Sequence, residues 1–204
     1  MHRNRVLALL AAALSASLLL AACGDDDGDG GNSEDEAQIT EAIEGAATSG
    51  EASACTQFQT QRFNEQTTGE TGAAAVKQCE DDAAQTPADE AEVDNIEVDG
   101  DSASAEASLT GSFFDGQTLA LDLVREGDQW KVDEATGFVD FDREHFVDQL
   151  KTSLQEESGG APQEAIDCVT ENIDALSDEE VENLFLNSDT QLEDQVFGSC
   201  FGGE

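Results

Sequence analysis

EVDNIEVDGDSASAEASLTGSFFDGQTLALDLVREGDQWKVDEAT, residues 92–136, decides the fold. Its apolar residues recur at every second position. Ala103, Ala105, Ala107, Leu109 and Phe113 fall on one face of one predicted strand, and Leu119, Leu121 and Leu123 fall on one face of the next. A period of two is the signature of strands with one buried face. Asp99-Gly100 and Asp115-Gly116 interrupt the pattern, as does Glu126-Gly127-Asp128. Asp-Gly favours tight hairpins because glycine accepts the positive φ that they need. The pattern predicts four antiparallel strands over residues 92–98, 102–114, 117–125 and 129–134.

Outward from this stretch the periodicity is helical. Before it, Ile39, Ile43, Ala46 and Ala47 form one stripe, followed by Cys55, Phe58 and Phe63 and then by Ala75, Val76 and Cys79. Ser33-x-x-Glu36 reads as a capping box opening the first helix. After it, Phe146, Leu150 and Leu154 form a stripe broken by Ser158-Gly-Gly-Ala-Pro162. Pro162 suits a first helical turn. Ile166, Val169 and Ile173 follow, and Ser177-x-x-Glu180 caps a helix carrying Val181, Leu184 and Phe185. Helices followed by a β-meander give an α+β class, with a helical unit behind it.

EGDQWKVD (residues 126–133), VDGDSASA (98–105) and the order of elements together resemble the NTF2-like (cystatin-like, SnoaL-type) superfamily over residues 37–138. The resemblance implies a cone in which a curved antiparallel sheet wraps three helices. Members include isomerases, cyclases and interaction modules, and also exported lipoproteins with a helix-to-helix cysteine pair. Residues 139–204 lie outside it, as a small helical C-terminal unit.

The first 22 residues have basic His2, Arg3 and Arg5 and then an apolar run from Val6 to Ala22, the pattern of an export signal. Leu20-Ala21-Ala22-Cys23 resembles the lipobox of bacterial lipoprotein precursors, which implies that Cys23 is lipidated and becomes the first residue after cleavage. The expected location is the cell envelope, lipid-anchored on the outer face of the membrane. The acidic, glycine-rich residues 23–36 then read as a flexible tether. A rival reading exists, since Asp25, Asp27, Asp29, Gly30 and Glu36 fit D-x-D-x-D-G-x5-E, the spacing of an EF-hand calcium loop. No entering helix precedes that loop, and its eighth position is Asn32 instead of an aliphatic residue. The tether is therefore the expectation, with no specific metal or cofactor.

Cys55, Cys79, Cys168 and Cys200 remain once Cys23 is set aside. An even number in an exported chain reads as a disulfide framework. Three connectivities are possible; Cys55 with Cys79 and Cys168 with Cys200 keeps each bridge inside one unit. No pair has the close spacing of a zinc site.

The chain carries 47 acidic and 8 basic residues, for a formal charge of −39. Loss of the signal would remove Arg3 and Arg5 and no acid, deepening that charge further. Nucleic acid and anionic surfaces are repelled by such a chain and are not expected partners; a basic partner or a divalent-rich surface suits it.

Proton-transfer groups are few. There is no tyrosine, and beyond the signal the only histidine is His145, set among charges that place it on an exposed helix face. Glu106 and Asp122 fall on the strand faces opposite the apolar ones. The candidate lining of an internal cavity is Ala105, Leu109, Phe113, Leu119, Leu121, Leu123 and Trp130, an apolar surface without a catalytic group. The expectation is a noncatalytic module binding an apolar small molecule, a peptide or an envelope protein. The alternatives are a small cavity enzyme using a carboxylate acid/base and calcium-dependent surface adhesion.

Overall fold

The computed structural model describes residues 32–84, 87–156 and 161–201. Cys23 and Asp25, Asp27, Asp29 and Gly30 of the calcium-loop pattern lie outside the described residues. The protein is α+β, with a curved antiparallel sheet in the order β1-β2-β3-β4. Its strands are β1 (Glu90–Asp99), β2 (Ser102–Thr110), β3 (Thr118–Glu126) and β4 (Gln129–Val139).

The meander follows the expected turns. Gly100 and Gly127 take φ of 65° and 68°, and the pairs Asp99↔Ser102 and Glu126↔Gln129 close two-residue turns around them. β2 is shorter than the period-two pattern predicts. Gly111 has φ 69°, and its N–H donates to Asp115 Oδ1 at 2.9 Å, so the chain leaves the sheet and residues 111–117 form a loop. Phe113 therefore reaches the interior from a loop and not from a strand. β1 and β4 are longer than expected. β1 is irregular against β2 between Asp94 and Glu97, and β4 shifts register twice against β3. Such bulges add local twist and bend the strand.

One face of the sheet is covered by helices. α1 (Asn32–Thr48), α2 (Ala54–Gln57), α3 (Gln61–Thr68) and α4 (Ala73–Asp82) precede the strands. Ile39, Ala42 and Ile43 of α1 are buried against Ala103, Ala105, Ala107, Leu121, Leu123 and Val132 of the sheet. α1 already includes Ser33 and Glu36, so the capping box expected there does not form the helix start, and residues 32–36 are helix instead of tether. The reason is tertiary: Asp35 pairs with Arg125 and accepts a hydrogen bond from Trp130 Nε1 at 3.2 Å, with the Arg125 guanidinium 4.7 Å over the indole. This clamp fixes the first turn of α1 at one end of the sheet.

The free edge of β4 is covered by the segment between α2 and α3. Val132 N–H donates to the Phe58 carbonyl, and Thr60 N–H donates to the Val132 carbonyl, both at 2.9 Å. The Thr60 hydroxyl also caps α3 by accepting from Phe63 N–H. Cys55 and Cys79 lie at disulfide distance, tying α2 to α4.

The tail comprises α5 (Arg143–Glu156), α6 (Gln163–Asp174), α7 (Asp178–Leu186), α8 (Thr190–Glu193), a wide π-type turn Asp194–Gly198 and α9 (Ser199–Phe201). Pro162 stands just before α6, at its cap position. The Ser177–Glu180 capping box is formed in full at the start of α7. Cys168 and Cys200 lie at disulfide distance and join α6 to α9. The tail has its own core of Phe146, Leu150, Val169, Ile173, Val181 and Val196.

Aromatic rings join the two cores. Phe113 packs on Phe146 and Phe185 with centroids 5.4 Å apart in both pairs, while Phe114 and Phe138 face each other at 5.8 Å. Hydrogen bonds reinforce the seam. Gln117 is 2 % exposed, and its side chain donates to the Asp142 carbonyl and accepts from Asp142 N–H. Gln66 of α3 donates across the seam to Asn187 Oδ1 at 2.8 Å, and Leu186 of α7 enters the sheet core.

Candidate functional site

A cavity of about 420 Å³ lies between the sheet and the helices, at the end away from the Asp35–Arg125–Trp130 clamp. Its floor is Ala107, Leu109, Leu119, Leu121 and Val132. α1 contributes Ile43, Ala46 and Ala47 to its wall, and the β2–β3 loop contributes Phe113 and Phe114. The Cys55–Cys79 pair lines it on the α2–α4 side. Its volume falls in the range of about 300–1,000 Å³ usual for small-molecule sites.

Four of the seven candidate lining residues, Leu109, Phe113, Leu119 and Leu121, are on this wall. Ala105, Leu123 and Trp130 are not. They are 3 %, 1 % and 2 % exposed and packed in the solid core nearer the clamp, where the first half of α1 fills the space above the sheet. Strand alternation put Ala105, Leu109, Phe113, Leu119, Leu121 and Leu123 on the apolar faces, and alternation alone does not say how far along those faces the helices descend.

Polar groups on the wall are few and sit in distinct places. Gln59 is 9 % exposed, with Nε2 only 3.5 Å from the Ala46 carbonyl. Among the lining residues Thr67 and Pro87 are exposed, and Asp82 is partly exposed, as are Ser49, Thr68, Ala83 and Ser112. Asp82 is the last residue of α4 and accepts a hydrogen bond from Gln78. Sequence reasoning missed it, because a carboxylate at a helix end carries no periodic signal. Glu106 and Asp122 face away from the cavity, as the register predicted.

His145 is exposed on α5 beside Gln149 and the Gly116 turn, and it does not line the cavity. Glu36 is exposed on α1. Among the described residues no group of three His, Cys, Asp or Glu is placed to hold a metal ion, and no helix is long and apolar enough to cross a membrane. Compared with family models, curated proteins and solved structures, the chain matches none.

Proposed function

We propose that this chain is a lipid-anchored, extracytoplasmic lipoprotein whose NTF2-like cone is a noncatalytic binding module for an apolar small molecule. The cavity carries this reading. Its floor and inner wall are aliphatic and aromatic, its size suits a small ligand, and the fold provides it without help from a second chain. Filling such a space with a matching apolar molecule is favourable by about 25 cal/mol per Å² of surface removed from water. The anchor rests on the export signal and the Leu20-Ala21-Ala22-Cys23 motif; two or more acyl chains hold a protein at a bilayer where one does not.

Native mass spectrometry tests the binding half. The oxidised chain from Gly24 to Glu204, made in an exporting host, retains a small-molecule mass if the cavity is a binding site. An empty protein that also fails to take up apolar probes would redirect the search to protein partners. The anchor has its own test, since Cys23→Ser should stall processing or release the protein from the membrane fraction. A normally processed, membrane-bound Cys23→Ser protein would refute the lipoprotein reading.

A further inference from the structure

From the buried polar side chain on this cavity's wall we infer that the ligand is an uncharged apolar molecule bearing a hydroxyl group, which donates a hydrogen bond to Gln59. The inference rests on the binding reading above and adds the ligand's chemical class.

Gln59 faces the cavity because its backbone bridges to Val132. Residues paired across strands share a face, and Val132 belongs to the cavity floor. The Gln59 carboxamide lies between two other wall residues, with Nε2 3.5 Å from the Ala46 carbonyl and Oε1 3.4 Å from Cys79 Sγ. The first contact is at the long limit of a hydrogen bond. The second is not a hydrogen bond, since that sulfur is joined to Cys55 and has no proton to give. Turning the amide over would set its oxygen against the Ala46 carbonyl, acceptor against acceptor. Among the described residues Oε1 therefore has no donor, although Gln59 is only 9 % exposed.

The other polar side chains on the wall all reach solvent at least in part, and each is engaged close by in the chain. The Thr67 and Thr68 hydroxyls donate to the Phe63 and Asn64 carbonyls. Those of Ser49 and Ser112 accept from Glu51 and Phe114 N–H, and Asp82 accepts from Gln78. Gln59 is thus the polar group that an occupant has to answer. An apolar molecule filling the cavity takes water away from Oε1, and unless it brings a donor of its own it leaves a buried acceptor unmade, which is costly. A hydroxyl supplies that donor with little added polar surface. A charged head group does not suit the wall. Among the described residues no Lys, Arg or His lines the cavity, so an anion would be buried without a counter-charge, and beside Gln59 a cation would meet only a neutral amide.

The test compares two isomers, octan-1-ol and heptyl methyl ether, which match in size and of which only the alcohol donates. Each is titrated calorimetrically into the oxidised chain from Gly24 to Glu204, with octanoate and octyltrimethylammonium as charged counterparts. The alcohol should bind tighter than the ether and tighter than either charged probe. Gln59→Met, an unbranched apolar replacement, should cut the alcohol's advantage over the ether about tenfold. A variant that only packs badly would weaken both isomers alike, so the ratio reports the hydrogen bond and not the fold. Ala107→Leu should weaken both by occupying the floor. If the ether matches the alcohol, if a charged probe binds tighter, or if Gln59→Met keeps the preference, the ligand class falls and the binding module stands. If neither isomer binds, or if Ala107→Leu leaves their binding untouched, both readings fall.

Discussion

Gly45 shows how closely α1 is set against its neighbours. A Cβ built there would lie 2.4 Å from a ring carbon of Phe58, inside any allowed contact. Two opposing effects act on Gly45→Ala. Alanine favours the helix by up to about 1 kcal/mol, whereas forcing an extra carbon into a packed site costs about 1–3 kcal/mol. Because Phe58 is held by its carbonyl's bond to Val132 N–H, the ring has little room to give and the steric cost should win. The urea midpoint of Gly45→Ala is expected to fall, and a rise would show that Phe58 swings aside. Gly111 poses a sharper constraint, combining φ 69° with Asp89 carboxylate atoms as near as 2.3 Å to any added Cβ. This residue ends β2, and it explains why the period-two pattern overran. Phe113 keeps the parity of Leu109, but alternation along the sequence carries no record of a backbone that has already turned.

Among the elements, the strands and helix stripes were legible because each buries one face, and burial writes its period into the sequence. The cysteine pairs followed from the same division into units. The depth of α1 along the sheet was not legible: Asp35 is 90 residues from Arg125 and 95 from Trp130, and their clamp is a tertiary choice that stiffens residues 32–36 into helix. Nor was the seam between the two cores, where Phe113, Phe114 and Phe138 from the sheet region meet Phe146 and Phe185 from the tail. The Cys168–Cys200 link closes a separation of 32 residues, worth about 3–4 kcal/mol in the chain-entropy model. Replacing both cysteines by serine should therefore cost the tail most of its protection from hydrogen exchange, beginning in α6 and α9. Because the seam includes Phe113 and Phe114, which also wall the cavity, weaker loss should follow in the β2–β3 loop, while the clamp end of α1 stays protected. Unchanged exchange in α6 and α9 would show that the tail's apolar core suffices alone.

The whole molecule carries −39, and two charge effects with opposite pH dependence act on it. Mutual repulsion among carboxylates weakens the compact state at neutral pH and is relieved by protons or by salt. Against this, the Glu65 carboxylate is held below the usual glutamate value of 4.5 by the Gly72 N–H and the Gln61 side chain, and Glu180 likewise by the Ser177 N–H and hydroxyl. A lowered folded-state value contributes stability that is complete above 4.5 and is lost as pH falls through the folded value. The urea midpoint should accordingly rise from pH 7 toward about pH 5 and fall below 4.5. Added sodium chloride should raise it at pH 7 and do little near pH 5. A midpoint that declines steadily from pH 7 would mean that repulsion is negligible here. One further property of the whole chain follows from the clamp. Trp130 is the only tryptophan and there is no tyrosine, so the protein's intrinsic fluorescence comes from a single indole, covered by a guanidinium and hydrogen-bonded to the first turn of α1. Its emission is a one-site optical gauge of whether that turn is seated, silent about events in the cavity at the other end of the sheet.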